Sequence, residues 1–197
     1  MHGKNHRHLI PVGRVGPKWK QAGFDNSLGY RSCELGIRDT IAELQEWYGI
    51  QVRMEIKPRG QGSWAWSWEK RVSFGMNGLA YYAKNGYPEY PTLQYLLGLQ
   101  HRRGERPKKV HGYFADPYRA GRIVAGHEYA HILTDVTLGG QWWHQVPYQL
   151  VYARVLDCLF PGFGAVGRVY HRHGEKISLR YPQVQKQIVS KLDQEAP

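Results

Sequence analysis

The stretch from Asp116-Pro117 to Gly139-Gly140 leaves this 197-residue chain the least choice of fold. An aspartate before proline supplies an acceptor for the first free N–H groups of a helix and a φ already set for its first turn. No further proline interrupts the run, and the paired glycines end it. Within it lies Gly126-His127-Glu128-Tyr129-Ala130-His131. A spacing of four puts His127 and His131 one turn apart on the same helix face, where both imidazoles can hold one Zn²⁺ at about 2.0–2.1 Å. Glu128 is rotated from them by about 100° and does not join them as a ligand. It is placed as a general base, taking a proton from a metal-activated water and passing it to a leaving amine.

A catalytic metal needs a third protein ligand and an open position. Beyond Glu128 the only glutamates are Glu175 and Glu195, far along the chain. Asp135 lies four residues after His131, and three ligands at i, i+4 and i+8 hardly converge on one ion. It is expected instead to orient a ligand imidazole through a hydrogen bond. Asp157 sits well inside the next helical segment and is a weak candidate. His144 is the best one. It follows Gly139-Gly140-Gln141-Trp142-Trp143, a turn able to swing the chain back across the metal. A further helix is expected from about Pro147, with Leu150, Val151, Leu156 and Leu159 on its apolar side, ending at Pro161-Gly162.

Upstream, Cys33, Ile37, Ile41, Leu44 and Tyr48 recur every three or four residues and Gly49 follows, which predicts an amphipathic helix over about 28–48. Ile50, Val52, Met54 and Ile56 then alternate with polar residues up to Pro58, the clearest strand in the chain. After Arg59-Gly60-Gln61-Gly62, the residues Trp64, Trp66 and Trp68 alternate with others, and Val72 and Phe74 keep the same parity. One long strand or a hairpin fits. Three tryptophans on one face can stack nucleotide bases, but the expectation is the buried side of a sheet. Residues 85–109 read as a loop with a short helical stretch, and 110–114 as a short edge strand that would bind an extended substrate by strand addition. Cys33 and Cys158 sit at apolar helical positions, as core rather than reactive thiols. Two cysteines are too few for a disulfide scaffold or a four-cysteine zinc ribbon.

The net charge is +11, and its placement matters more than its size. Residues 1–25, 101–109 and 168–197 carry +4, +4 and +3, so the remainder is neutral. A neutral body with basic appendages suits DNA or another polyanion, with Arg102, Arg103, Arg106, Lys108 and Lys109 as the loop that would touch it. No apolar run approaches the roughly 18–20 residues of a membrane helix, and no leader opens the chain. A cytoplasmic protein with no membrane partner is expected; the sequence leaves open whether it is nucleoid-associated and whether it is host- or phage-encoded.

His127-Glu128-x-x-His131, twelve residues and then His144 resembles the zinc-protease core of SprT-like (Spartan-type) proteins. It is also similar to small metallohydrolases of actinobacteria and their phages. Those families place Gly-Pro and an aromatic after the third histidine, then a helix often containing Tyr-Ala-Arg. Here the run is His144-Gln145-Val146-Pro147-Tyr148, then Tyr152-Ala153-Arg154, with one extra residue and no glycine. The resemblance covers roughly residues 28–160. It implies His127, His131 and His144 as ligands of one Zn²⁺ and Glu128 as the catalytic base.

The expected fold is α+β and zincin-like: a small, mostly antiparallel sheet packed against the H-E-x-x-H helix and flanking helices. The expected organisation is a basic arm over 1–25, a metalloprotease domain over 26–165 and a basic extension over 166–197 ending in a short amphipathic helix. Tyr148 or Tyr152 would stabilise the oxyanion, and nothing in the sequence chooses between them. The functional expectation is a zinc-dependent metallopeptidase acting on protein or peptide substrates, in particular nucleic-acid-associated proteins. The alternative is a non-catalytic, zinc-containing structural or binding protein associated with nucleic acid or a virion.

Overall fold

The structure, a computed structural model, describes residues 26–85, 116–162, 164–167 and 169–171. Helix α1 spans Asn26–Tyr48 and buries Cys33, Ile37, Ile41 and Leu44, the stripe that its periodicity marks out. Gly49 takes a φ of +68° and stops it, as a glycine at a helix C-terminus does. Three strands follow: β1 over Arg53–Lys57, β2 over Trp64–Trp66 and β3 over Arg71–Gly75. A 3₁₀ turn at Ser67–Glu69 joins the last two, so the tryptophan segment and Val72–Phe74 form a hairpin rather than one long strand.

The sheet is mixed, where a mostly antiparallel one was expected. Its order is β1-β3-β2, with β1 parallel to β3 and β2 antiparallel to β3. The reason lies in the turn after β1. Instead of folding straight back, it crosses the far end of β3, where the Gly60 carbonyl accepts the N–H groups of Asn77 (3.0 Å) and Gly78 (3.2 Å). A Cβ on Gly75 or Gly78 would strike the backbone of residues 60–62, so these glycines are what let the chain pass. It then enters β2 from the outer side and returns as the central strand.

Helix α2, Met76–Asn85, was not expected from the sequence. Met76, Leu79 and Ala80 have helical spacing and are buried, but Asn77-Gly78 reads locally as a turn. Helix α3 spans Pro117–Leu138 as its end signals require. The Asp116 carboxylate accepts the Tyr118 N–H at 2.8 Å, and the chain leaves through Gly139 and Gly140 at φ +69° and +100°. Helix α4 spans Val146–Leu159.

Helix α3 is the axis of the molecule, buried on most of its surface from Ala120 to Thr134. It meets α1 at two bare glycines. A Cβ on Gly121 would collide with the Cys33 carbonyl, and one on Gly36 with that of Tyr118. The Tyr129 hydroxyl lies 3.0 Å from the Leu44 carbonyl and 2.9 Å from that of Ile50, tying α3 to the link between α1 and β1. Arg122 donates a bidentate pair to Glu43 at 2.9 and 2.8 Å. Gly126 admits Leu159 and Val155 of α4 one residue before the first motif histidine. Val72 and Phe74 of the sheet close the core from the remaining side.

Residues 1–25, 86–115 and 172–197 lie outside the described residues, and with them the basic arm, the basic loop with Arg102 to Lys109, the edge strand expected at 110–114 and most of the C-terminal extension. No helix among the described residues is long and apolar enough to cross a membrane.

Candidate metal centre

His127 and His131 project from one face of α3, and the turn after Gly139-Gly140 brings His144 over them. One ring nitrogen from each of the three lies within 4.8 Å of the others, the only such group of potential ligands among the described residues. The Nε2 atoms of His127 and His144 face each other at 3.2 Å. Two nitrogens that close share either a proton or a cation. Tetrahedral ligands at zinc–nitrogen distances lie about 3.3 Å apart, so the spacing fits a metal.

The surroundings of His127 are compatible with the same reading. Its Nδ1 lies 2.8 Å from the Tyr148 hydroxyl, and that hydroxyl has the His127 carbonyl as an acceptor at 3.4 Å. With the Nε2 lone pair turned into the cluster, Nδ1–H donates to the tyrosine oxygen in the shorter bond and the tyrosine proton is left for the carbonyl. The Tyr148 ring also stacks on His131 with centroids 4.1 Å apart. Burial pushes all three imidazoles towards the neutral form. His127 lies well below its ordinary value because of burial and then its neighbours His131 and His144, His131 is lowered to about 3 by burial and then His144, and His144 is lowered by burial. Neutral imidazole is the form that binds a cation.

Glu128 opens into the same cavity as the histidines, only 6% exposed, and burial pushes its carboxyl up to about 8. The cavity encloses about 660 Å³ between the β2 hairpin, α3 and the turn that carries His144.

Asp135 has a different role from the one its spacing implied. Its carboxylate accepts the Ser67 hydroxyl at 2.5 Å and the Trp142 N–H at 3.1 Å, and neither partner is an imidazole. It clamps the β2 hairpin and the His144 turn onto α3. The Gln149 side chain completes the turn by donating to the His144 carbonyl at 3.0 Å. Asp157 caps the backbone N–H groups of Ala165 (2.7 Å) and Val166 (2.9 Å), a structural place rather than a ligand's.

The two oxyanion candidates are also placed otherwise. Tyr148 and Tyr152 are fully buried under the histidines, and neither lines the cavity. The Tyr148 hydroxyl serves His127, and that of Tyr152 reaches towards the Ile123 carbonyl at 3.5 Å. The tryptophan row departs from expectation as well: Trp64 and Trp68 are 60% and 71% exposed and line the cavity. Ala65, not the tryptophans, shares the core side with Val72. Cys33 is a buried free thiol and Cys158 a half-buried one, 3.6 Å from the Tyr48 hydroxyl.

Comparison with protein-family models, with curated proteins and with solved structures returns no match for this chain.

Proposed function

We propose that this chain is a zinc-dependent peptidase of the SprT-like kind, with His127, His131 and His144 holding the ion and Glu128 as general base. The observation that carries the reading is the convergence of three imidazoles and one buried carboxyl on a single open cavity. Three nitrogen donors suit zinc better than magnesium or calcium, and a three-ligand set leaves the fourth position that catalytic zinc sites keep open. A bound divalent ion would supply Lewis acidity, lowering the pKa of a water to about 7 and polarising a carbonyl.

The chain's own residues supply the rest. Glu128 accepts the water proton on its carboxylate and returns it to the departing amine nitrogen. Tyr148 keeps Nε2 of His127 bare and the ring of His131 in plane. Asp135 holds His144 over the helix by fixing the Trp142 backbone. β2 is an edge strand of the described sheet and lies along the cavity, so an extended substrate backbone can add to it. This gives β2 the substrate-binding role expected of residues 110–114. The excess of +11, concentrated in the basic segments, supports a further clause: substrate proteins are met on nucleic acid.

Elemental analysis of untagged protein beside His144→Ala is the first test. About one zinc per chain, lost in the variant, followed by peptide hydrolysis that disappears in Glu128→Gln with the metal retained, is the expected result. No metal uptake on adding zinc would remove the reading. Metal retained in both wild type and Glu128→Gln, with no peptide cleaved by either, would favour a structural zinc protein.

A further inference from the structure

The described residues contain three strongly exposed tryptophans, Trp64, Trp68 and Trp143, and all three line the cavity that holds the histidines and Glu128. Folding does not account for them, since an indole left in water forgoes the burial that makes tryptophan worth placing in a fold. Trp143 carries a second sign. Its φ is +41°, in the left-handed region that bulky side chains avoid, and it stands between the Asp135-clamped Trp142 and His144. The clamp holds a strained backbone in which the indole faces the cavity instead of the core, and backbone strain of this kind gathers at binding sites.

The walls narrow the choice of occupant. Among the described residues, Glu128 and Asp135 are the charged groups that line the cavity, and no lysine or arginine does. A nucleic-acid backbone would find no cation in that described lining to neutralise its phosphates, despite the chain's overall positive charge. The lining includes every residue from Gly62 to Trp68, and β2 within it has no strand on its second edge among the described residues. Main-chain donors and acceptors at that edge, unpaired among the described residues, match another extended backbone, which a sugar or a nucleotide does not offer.

We infer that Trp64, Trp68 and Trp143 form a subsite for a large apolar side chain, aromatic or branched aliphatic, on an extended peptide paired along the edge of β2. This rests on the peptidase reading above, because it names the side chain that such a site selects. Indole faces favour such side chains through area and aromatic contact, and the lining formed by the described residues offers an acidic one no lysine or arginine.

The test uses the full zinc-loaded chain carrying Glu128→Gln, so that bound peptides survive. Dye-labelled, end-blocked peptides identical except for a central Phe, Leu, Lys, Asp or Gly are titrated by fluorescence anisotropy. Phe and Leu peptides should bind about tenfold more tightly than the other three, a preference that should fall to near parity in Trp64→Ala and in Trp143→Ala backgrounds with zinc content unchanged. Equal binding of all five peptides, a preference for Lys, no binding at all, or a preference that survives Trp64→Ala and Trp143→Ala together would overturn the subsite. So would a single-stranded oligonucleotide that binds more tightly than the Phe peptide and is lost in the same variants. Wild-type protein that shows the preference but cleaves no peptide would sink the peptidase reading and leave the subsite standing. Cleavage that ignores the central residue, with no binding preference, would do the reverse.

Discussion

Glutamine in place of Glu128 should stabilise the metal-free protein, and by an amount that grows with pH. Burial holds the Glu128 carboxyl at about 8, against an ordinary value of 4.5. The folded chain therefore keeps a proton that the unfolded chain releases, and between those two values wild-type stability falls as pH rises. At about 1.36 kcal/mol per unit the full difference approaches 5 kcal/mol above pH 8. Water entering from the cavity relieves part of the burial penalty, so about 2–3 kcal/mol is the expected gain. Glutamine has the same shape and no proton to lose. In a domain of this size that gain should appear as a melting midpoint about 5–10 °C above wild type at pH 9, shrinking to little at pH 5. The assay is thermal unfolding of both proteins in chelator across that range, since a bound cation would itself lower the carboxyl's pKa. The histidines titrate in both proteins and cancel from the comparison. A difference that stays flat with pH would refute the claim that this carboxyl lies in a desolvated wall of the cavity.

Tyr148→Phe removes the acceptor for His127 Nδ1–H while keeping the ring that stacks on His131, so zinc affinity measured by competition with a chelator should fall by about 10–100-fold with the fold intact. Asp135→Ala breaks the bonds to Ser67 and Trp142 together; a loss of about 1–3 kcal/mol in denaturant unfolding is expected, accompanied by weaker metal binding because His144 is no longer held. An unchanged zinc affinity would mean that the turn keeps its shape without the clamp. Gly121→Val drives a side chain into the Cys33 carbonyl, backbone that cannot swing aside, and should cost about 3 kcal/mol or more, or prevent soluble expression. Wild-type stability in that variant would show that α1 and α3 do not cross where they are placed.

The elements that were legible in the sequence are those made by neighbours along the chain. Asp116-Pro117 and Gly139-Gly140 set both ends of α3, because caps and left-handed glycines act within one turn. The α1 stripe and the β1 alternation were equally plain, and helical geometry alone placed His127 and His131 on one face. His144 was legible as the histidine beyond a two-glycine turn, though its distance from the helix was not. Parity put Trp64 and Trp66 on one side of a strand, but it cannot say which side faces the core. That was decided by the loop at Gly60, which carries β2 to the outer edge of β3 and turns Ala65 inward. The mixed sheet and the helix after it have the same origin, since strand order and burial are set by contacts between distant segments.

Chain order therefore determined the histidine pair that could hold a metal ion, the glutamate between them and the helix that presents all three. Tertiary structure alone decided what surrounds them. Asp135 bonds a serine 68 residues away instead of an imidazole, Tyr148 turns its hydroxyl to a histidine 21 residues back rather than to the cavity, and three indoles stand around the opening. Each depends on packing between α3, α4 and the sheet. The side chains that tune a site are chosen by the space left between elements, and that space exists only once the elements have docked.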